Sequence, residues 1–180
     1  MIFVCLGTQI FQMNRLLKEI DRLVEEGIIT EPIFAQTGKS DYRPLHYTYK
    51  DFITPEEYQS YVEQADLIIT HGGTGAIIKG LRARKQIIAI PRLYRYREHE
   101  NDHQIEIVDF FSENGYIRKI VEVSELKEAI WEIRKNPITK YFQAHGNINE
   151  LVQQFIEQNE TIRKEKVKKK HRWNFLRRTE

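Results

Sequence analysis

Apolar positions along this chain fall into two alternating spacings. Short unbroken runs recur at Ile2-Phe3-Val4-Cys5-Leu6 and over residues 32–36, 67–70 and 87–90, as expected of strands covered on both faces. Between them apolar residues recur at helical spacing. Phe11, Leu16, Leu17, Ile20, Leu23 and Val24 predict a helix over residues 11–24. Thr54-Pro55-Glu56-Glu57 predicts a helix start, with a capping threonine, proline at the first helical position and acids in the first turn. Further helices are predicted over residues 74–84, 101–111 and 148–164, and from a Ser124 cap to about Lys135. Residues 45–49 predict a short edge strand, and residues 116–121 a strand after the Gly115 break. The alternation implies one parallel sheet with helices on both faces. Ligands of such sheets sit outside the carboxyl ends of the strands. Four polar or glycine-rich clusters fall there: Gly7-Thr8, Thr37-Gly38, His71-Gly72-Gly73-Thr74-Gly75, and residues 91–104.

Composition adds class and compartment. With 180 residues, 41% hydrophobic and 30% charged, the chain suits one globular α/β domain. The single cysteine, Cys5, lies in a strand run and reads as a small buried hydrophobe. The start lacks a basic n-region, and no run reaches the roughly 18 apolar residues of a membrane span, so a cytoplasmic location is expected. Charge is uneven. Residues 1–160 carry 19 Lys/Arg against 24 Asp/Glu, whereas residues 161–180 carry nine against two. The expected organisation is therefore a domain over residues 1–160 and a basic tail over residues 161–180. The tail includes Trp173 and Phe175, and it reads either as a solvated end or as a contact for an anionic membrane surface. Nucleic acid is disfavoured as a partner, because the body lacks a basic face.

The stretch THGGTGAI, residues 70–77, places three glycines between a strand and a helix. Free amides at a helix start and the positive end of its dipole favour an anion such as phosphate, although glycines there also serve close packing. No GxxxxGK[ST] and no GxGxxG after the first strand is present, which leaves P-loop ATPases and dinucleotide dehydrogenases unsupported. The cluster YRYREHENDHQ, residues 94–104, gathers side chains that donate and accept hydrogen bonds to sugar hydroxyls. A metal site is the rival reading, since His99 and His103 stand at i and i+4 with Asp102 nearby. A solvated polar loop is the third.

Four segments carry a resemblance. MIFVCLGTQIFQMNRLLKEID, FAQTG, ADLIITHGGTGAI and IPRLYRYREHENDHQIE occur in order over residues 1 to about 135. They resemble the small bacterial glycosyltransferase subunits of capsule and exopolysaccharide synthesis (a family 28 C-terminal-domain-like group). These are similar to the soluble catalytic subunit of the eukaryotic transferase that adds the second GlcNAc to dolichol-linked sugar. The resemblance implies a Rossmann-like α/β fold, equivalent to the C-terminal, donor-binding half of a GT-B glycosyltransferase.

It also implies roles. The loop of His71, Gly72, Gly73, Thr74 and Gly75 would hold the diphosphate of a UDP-sugar. Gly7 and Thr8 would close over it, with Arg92 as a phosphate contact. Asp102, His103 and Gln104 would bind the sugar, and Glu98 and His99 the ribose or the sugar. Transfer is expected to be metal-independent and inverting, with no cofactor, because helix amides can stabilise the departing UDP.

The catalytic base is expected on a membrane-anchored, acceptor-binding partner subunit that completes the GT-B fold, with Glu98 and His99 as in-chain candidates. A lipid-linked saccharide is the implied acceptor and galactose the favoured sugar, in a beta-1,4 linkage. The chain would be peripheral at the inner face of the cell membrane through that partner. Two departures stand out: Lys79 occupies the place of a ribose-binding glutamate in larger relatives, and Arg97 the place of a glycine. The alternative is a nonenzymatic nucleotide-binding regulator of flavodoxin-like shape. A UDP-sugar 2-epimerase would need a longer chain, and a receiver domain an acidic pair after the first strand.

Overall fold

A computed structural model of the chain describes residues Met1–Tyr141. Its sheet has six parallel strands: β1 (Ile2–Cys5), β2 (Ile33–Gln36), β3 (Thr48–Lys50), β4 (Leu67–Thr70), β5 (Gln86–Ala89) and β6 (Arg118–Lys119). They lie in the order β3-β2-β1-β4-β5-β6. This is the order of the doubly wound nucleotide-binding sheet, which reverses direction between β1 and β4. Register there is tight, with Cys5 beside Thr70. The chain therefore leaves β1 and β4 side by side, and the Gly7 and His71 turns must meet. The predicted α/β sheet with helices on both faces is what the structure shows.

Four helices lie between strands, α1 (Asn14–Glu25), α2 (Pro55–Gln64), α3 (Thr74–Arg82) and α4 (His103–Glu113), and a fifth, α5 (Leu126–Lys135), follows β6. One face of the sheet offers Ile2, Val4, Ile69 and Ile88 to Leu16, Leu17, Ile20 and Leu23 of α1 and to Leu126, Ile130 and Ile133 of α5. The other face is aromatic. Phe3 meets Tyr58 edge-on at 5.3 Å and Phe34 stacks on Tyr61 at 3.7 Å, which seats α2. Helix α3 approaches closely at Gly80, where a Cβ would stand 2.8 Å from Ile87 and 3.0 Å from Ile68. The four central strands are buried nearly throughout, which explains their unbroken apolar runs.

Several sequence expectations need correction. Helix α1 starts at Asn14 rather than Phe11; Gly7 turns with φ +73°, and Phe11 packs against the His99 ring instead of opening the helix. The edge strand is Thr48–Lys50, and Leu45 is exposed. Helix α3 stops at Arg82, because Arg84 adopts a left-handed φ of 55°. Ser124 does not cap α5. It sits inside a 3-10 turn, Val123–Glu125, closed by a reciprocal pairing of Glu122 and Glu125. Strand β6 keeps only two residues, although Tyr116, Ile117 and Ile120 are buried as the pattern required. The Thr54 cap is present in full as a capping box with Glu57. The predicted helix over 148–164, the boundary at residue 160 and the basic tail lie outside the described residues.

Asp21 on α1 anchors the long connection from β2 to β3. Its carboxylate accepts from the Tyr42 hydroxyl at 2.6 Å, from the Leu45 amide at 2.9 Å and from the His46 amide at 2.8 Å. Burial raises its pKa, but these donors outweigh burial and hold the carboxyl below its ordinary value of 3.8. Folding thus favours the ionised form, so its stabilisation is complete above about pH 4 and fades as pH falls through the depressed folded value. Asp21→Asn should cost about 2–3 kcal/mol at pH 7. Denaturant titrations at pH 7 and pH 3 check this, and the difference between variant and parent should shrink at the lower pH.

Candidate functional site

The two central turns interlock through one histidine. His71 follows β4 directly, and its Nδ1 lies 3.1 Å from the carbonyl oxygen of Cys5 at the end of β1. A carbonyl can only accept, so Nδ1 carries the proton and Nε2 the lone pair. Burial, then the charge of Arg92, pushes the His71 pKa down to about 3, against the Cys5 hydrogen bond, and the ring is neutral. Glycine is required on both sides of it. A Cβ at Gly73 would come within 2.5 Å of Nε2, and one at Gly7 within 2.9 Å of Cε1. Gly72, at φ +81°, is buried against Val108 and Pro91. Gly75 alone of the loop's glycines has nothing within 4 Å of its absent Cβ.

Above these turns lies a cleft of about 500 Å³. Gly7, Thr8, His71, Gly73, Thr74, Gly75, His99, His103 and Gln104 line it, so the structure brings together nine of the residues singled out from the sequence. Helix α3 opens onto the cleft with Gly73 at its N-cap and no side chain capping it. The Thr74 and Gly75 amides, in the helix's first turn, lack intrahelical acceptors. Gln104 is buried, and its Oε1 accepts from the Arg92 amide at 3.1 Å, which fixes the start of α4 against the loop after β5.

His99 lies in the loop before α4, between Phe11 (4.5 Å between ring centroids) and His103 (4.6 Å). Its pKa is lowered, first by burial and then by His103 and Arg92, so the neutral imidazole is favoured. The described residues contain no group of three or more His, Cys, Asp or Glu placed to hold a metal ion.

Four expected residues are placed elsewhere. Arg92 is fully buried beneath the cleft, where Nη2 donates to the carbonyls of Leu6 (2.7 Å) and Phe11 (3.0 Å). Glu98 is 1% exposed and receives Arg15 Nε at 2.9 Å and the Leu93 amide at 3.2 Å. Burial raises its pKa, opposed by Arg15 and the other donors. It cannot reach a ribose or an acceptor hydroxyl from there; with Arg15, which also binds the carbonyls of Pro91 and Val121, it shapes the loop after β5. Asp102 turns away to the Tyr94 amide at 2.7 Å. Gly72 is packed under the loop rather than on its cleft side.

The sequence reading missed Gln36 of β2, Ile53 in the loop before α2 and Tyr58 of α2, and it noted Lys79 of α3 only as a departure from larger relatives; all four line the cleft. A polar Gln36 closing an apolar strand was a usable signal; its Nε2 donates to the Gly7 carbonyl at 3.1 Å. Among the described residues lining the cleft none is acidic, and Lys79 is the one permanent charge.

Because Gly73 is constrained by the His71 ring, Gly73→Ala should destabilise the fold by about 1–3 kcal/mol. The increment should largely vanish when the same change is made in a His71→Ala background. A thermal-unfolding double-mutant cycle measures the coupling.

The glycosyltransferase family 28 C-terminal domain matches residues 1–168. The UDP-N-acetylglucosamine transferase subunit ALG13 of Debaryomyces hansenii is 34% identical over 84 residues, covering 44% of this chain and 38% of that protein. A UDP-N-acetylglucosamine--N-acetylmuramyl-(pentapeptide) pyrophosphoryl-undecaprenol N-acetylglucosamine transferase of Streptococcus sanguinis is 32% identical over 98 residues, 52% of this chain and 26% of that protein. The chain thus spans between a quarter and two fifths of the length of these relatives.

In structure, it is similar to ALG13 in solution, with a TM-score of 0.53 at 18% identity over 81% of this chain and 90% of that one. The glycotransferase of kitacinnamycin gives 0.54 at 21% identity, over 76% of this chain and 35% of that one. These likenesses show a shared fold, that of the C-terminal half of a GT-B glycosyltransferase. With its glycine loop, switch-point cleft and six-stranded parallel sheet, the chain belongs to the glycosyltransferase family 28 C-terminal domain family.

Proposed function

We propose that this chain is the donor-binding subunit of a two-component glycosyltransferase that moves a sugar from a UDP-sugar to a lipid-linked saccharide. The carrying observation is the cleft at the β1/β4 switch point, walled by the Gly7 turn and the uncapped start of α3, with no acidic side chain among the described residues lining it. Such a cleft suits a diphosphate, and family 28 membership supports a sugar nucleotide as its source. In the reaction, the acceptor hydroxyl oxygen attacks the anomeric carbon. The bond from that carbon to the phosphate oxygen breaks, and its electron pair leaves with UDP. The amides of Gly73, Thr74 and Gly75 stabilise the developing charge. Metal-independent transfer with inversion remains part of this proposal.

The hydroxyl proton needs a base. Burial and its ion pair with Arg15 withdraw Glu98 from that role. Neutral His99 is the group of this chain best suited to it, and a group on the partner subunit is the alternative. A separate acceptor-binding, membrane-anchored subunit is supported by the similarity to ALG13, itself a transferase subunit. No helix among the described residues is long and apolar enough to cross a membrane. Capsule or exopolysaccharide synthesis, with galactose as the sugar, is the reading favoured by the segment resemblance; the curated relatives are N-acetylglucosamine transferases.

Calorimetric titration in chelator tests the donor site. UDP should bind, ADP should bind at least about ten-fold more weakly, and a panel of UDP-sugars should rank the donor. Gly75→Val, at the open position of the loop, should cut UDP affinity by about ten-fold or more while leaving the unfolding temperature nearly unchanged. Binding that requires added divalent cation would overturn the metal-independent reading. Binding without turnover, even with the membrane partner present, would favour the nonenzymatic regulator.

His99→Ala should lower turnover at least about a hundred-fold with little change in UDP affinity if His99 is the base. Unchanged turnover would assign the base to the partner.

A further inference from the structure

The cleft carries a cation that the glycine loop does not account for. Lys79 is exposed, lines the cleft, and makes no ion pair among the described residues. Its ammonium group rests over the ring of Tyr58, 4.3 Å from the centroid. Tyr58 is itself fixed: its hydroxyl accepts from the Cys5 thiol and its ring meets Phe3 edge-on. The lysine is therefore parked on a rigid aromatic face by a contact worth about 0.5–1 kcal/mol when exposed, weak enough to exchange for a better partner.

Helix geometry says where it can go. Lys79 stands four residues after Gly75, so the two share one face of α3. Helical side chains lean toward the N-terminus, which directs the lysine stem over the position where Gly75 has no side chain. Gly75 is exposed, with nothing within 4 Å of its absent Cβ. The result is an open slot bounded below by the first amides of α3, with the Lys79 ammonium within a side chain's reach of it. Gly80 holds the opposite side of the helix tight against Ile87 and Ile68, so the slot's geometry is set by the sheet. A second positive charge lies beneath the floor: buried Arg92, whose Nε and Nη1 have no acceptor among the described residues.

We infer that Lys79 is a diphosphate clamp: it leaves Tyr58 when the donor nucleotide binds and pairs with the phosphate oxygens above Gly75. This inference rests on the donor-site reading and deepens it. Lys79 would neutralise charge that grows on the leaving diphosphate as the sugar departs, a task a neutral loop performs less completely. It predicts a phosphate-specific contact rather than a contact to the nucleoside.

The test compares the full chain with Lys79→Met, Lys79→Arg and Tyr58→Phe, titrated with UDP and with uridine at low and at moderate salt. Lys79→Met should weaken UDP about ten-fold or more at low salt and leave uridine unchanged. The loss should narrow at moderate salt, because screening weakens the lysine contact in the parent. Lys79→Arg should stay within about three-fold of the parent, since it keeps the charge. Tyr58→Phe preserves the ring and should bind UDP as the parent does.

An unaltered chain that binds UDP beside a Lys79→Met variant that binds it equally well overturns the clamp and leaves the donor site standing. Equal losses for UDP and uridine would also overturn it, placing Lys79 at the nucleoside. Failure of the unaltered chain to bind UDP would overturn both readings together.

Discussion

The hydrogen bond from His71 Nδ1 to the Cys5 carbonyl ties the ends of β1 and β4 together, and the cleft is built around it. Parallel pairing of Cys5 with Thr70 brings those ends side by side, and the neutral imidazole then fills the space between two turns that admit no side chain at Gly7 or Gly73. A charged ring would sit poorly here. Its neighbours include Arg92, and burial penalises a second cation, which is why the His71 pKa is driven down to about 3. The glycines of this loop thus have two separate reasons to exist. Gly7 and Gly73 make room for a histidine, whereas Gly75 leaves open space on the cleft side.

Below this layer the protein holds two arginines and one glutamate. Arg15 and Glu98 satisfy each other and fasten the loop after β5 to α1 through the Pro91 carbonyl, while Arg15 also reaches the Val121 carbonyl after β6. Arg92 is bonded only to backbone carbonyls, and burial lowers its pKa to about 10, leaving it charged at neutral pH. The net positive charge beneath the cleft adds to the dipole of α3 and to Lys79 on the wall. All three favour an anion in the same volume, and the described lining residues supply no carboxylate to oppose them. Electrostatics and steric access therefore both favour an anion in the cleft.

Much of this was legible beforehand. The apolar runs of β1, β2, β4 and β5 are unbroken because both faces of those strands are covered, a condition that composition alone expresses. The α2 start was legible to the residue, since capping by Thr54 and Glu57 is a local interaction within four positions. Local rules failed where tertiary contacts decide. Ser124 had the right chemistry for a cap, yet the chain closes a 3-10 turn through Glu122 and Glu125 one step earlier. Phe11 continued a helical pattern but is spent against His99 instead.

By itself the sequence determined the parallel α/β layering, the strand-end location of the polar clusters and the glycine loop, because each depends on spacing and residue type over short stretches. Tertiary structure decided which of the clustered residues face the cleft. Arg92, Glu98, His99 and His103 lie within twelve positions of one another, and no local pattern separates them. The sheet edge does: the first two are drawn under the loop by the carbonyls of Leu6 and Phe11 and by Arg15, all distant in sequence, while the histidines are left on the cleft side. Lys79 acquires its meaning the same way, from a helix start four residues earlier and an aromatic ring on the neighbouring helix.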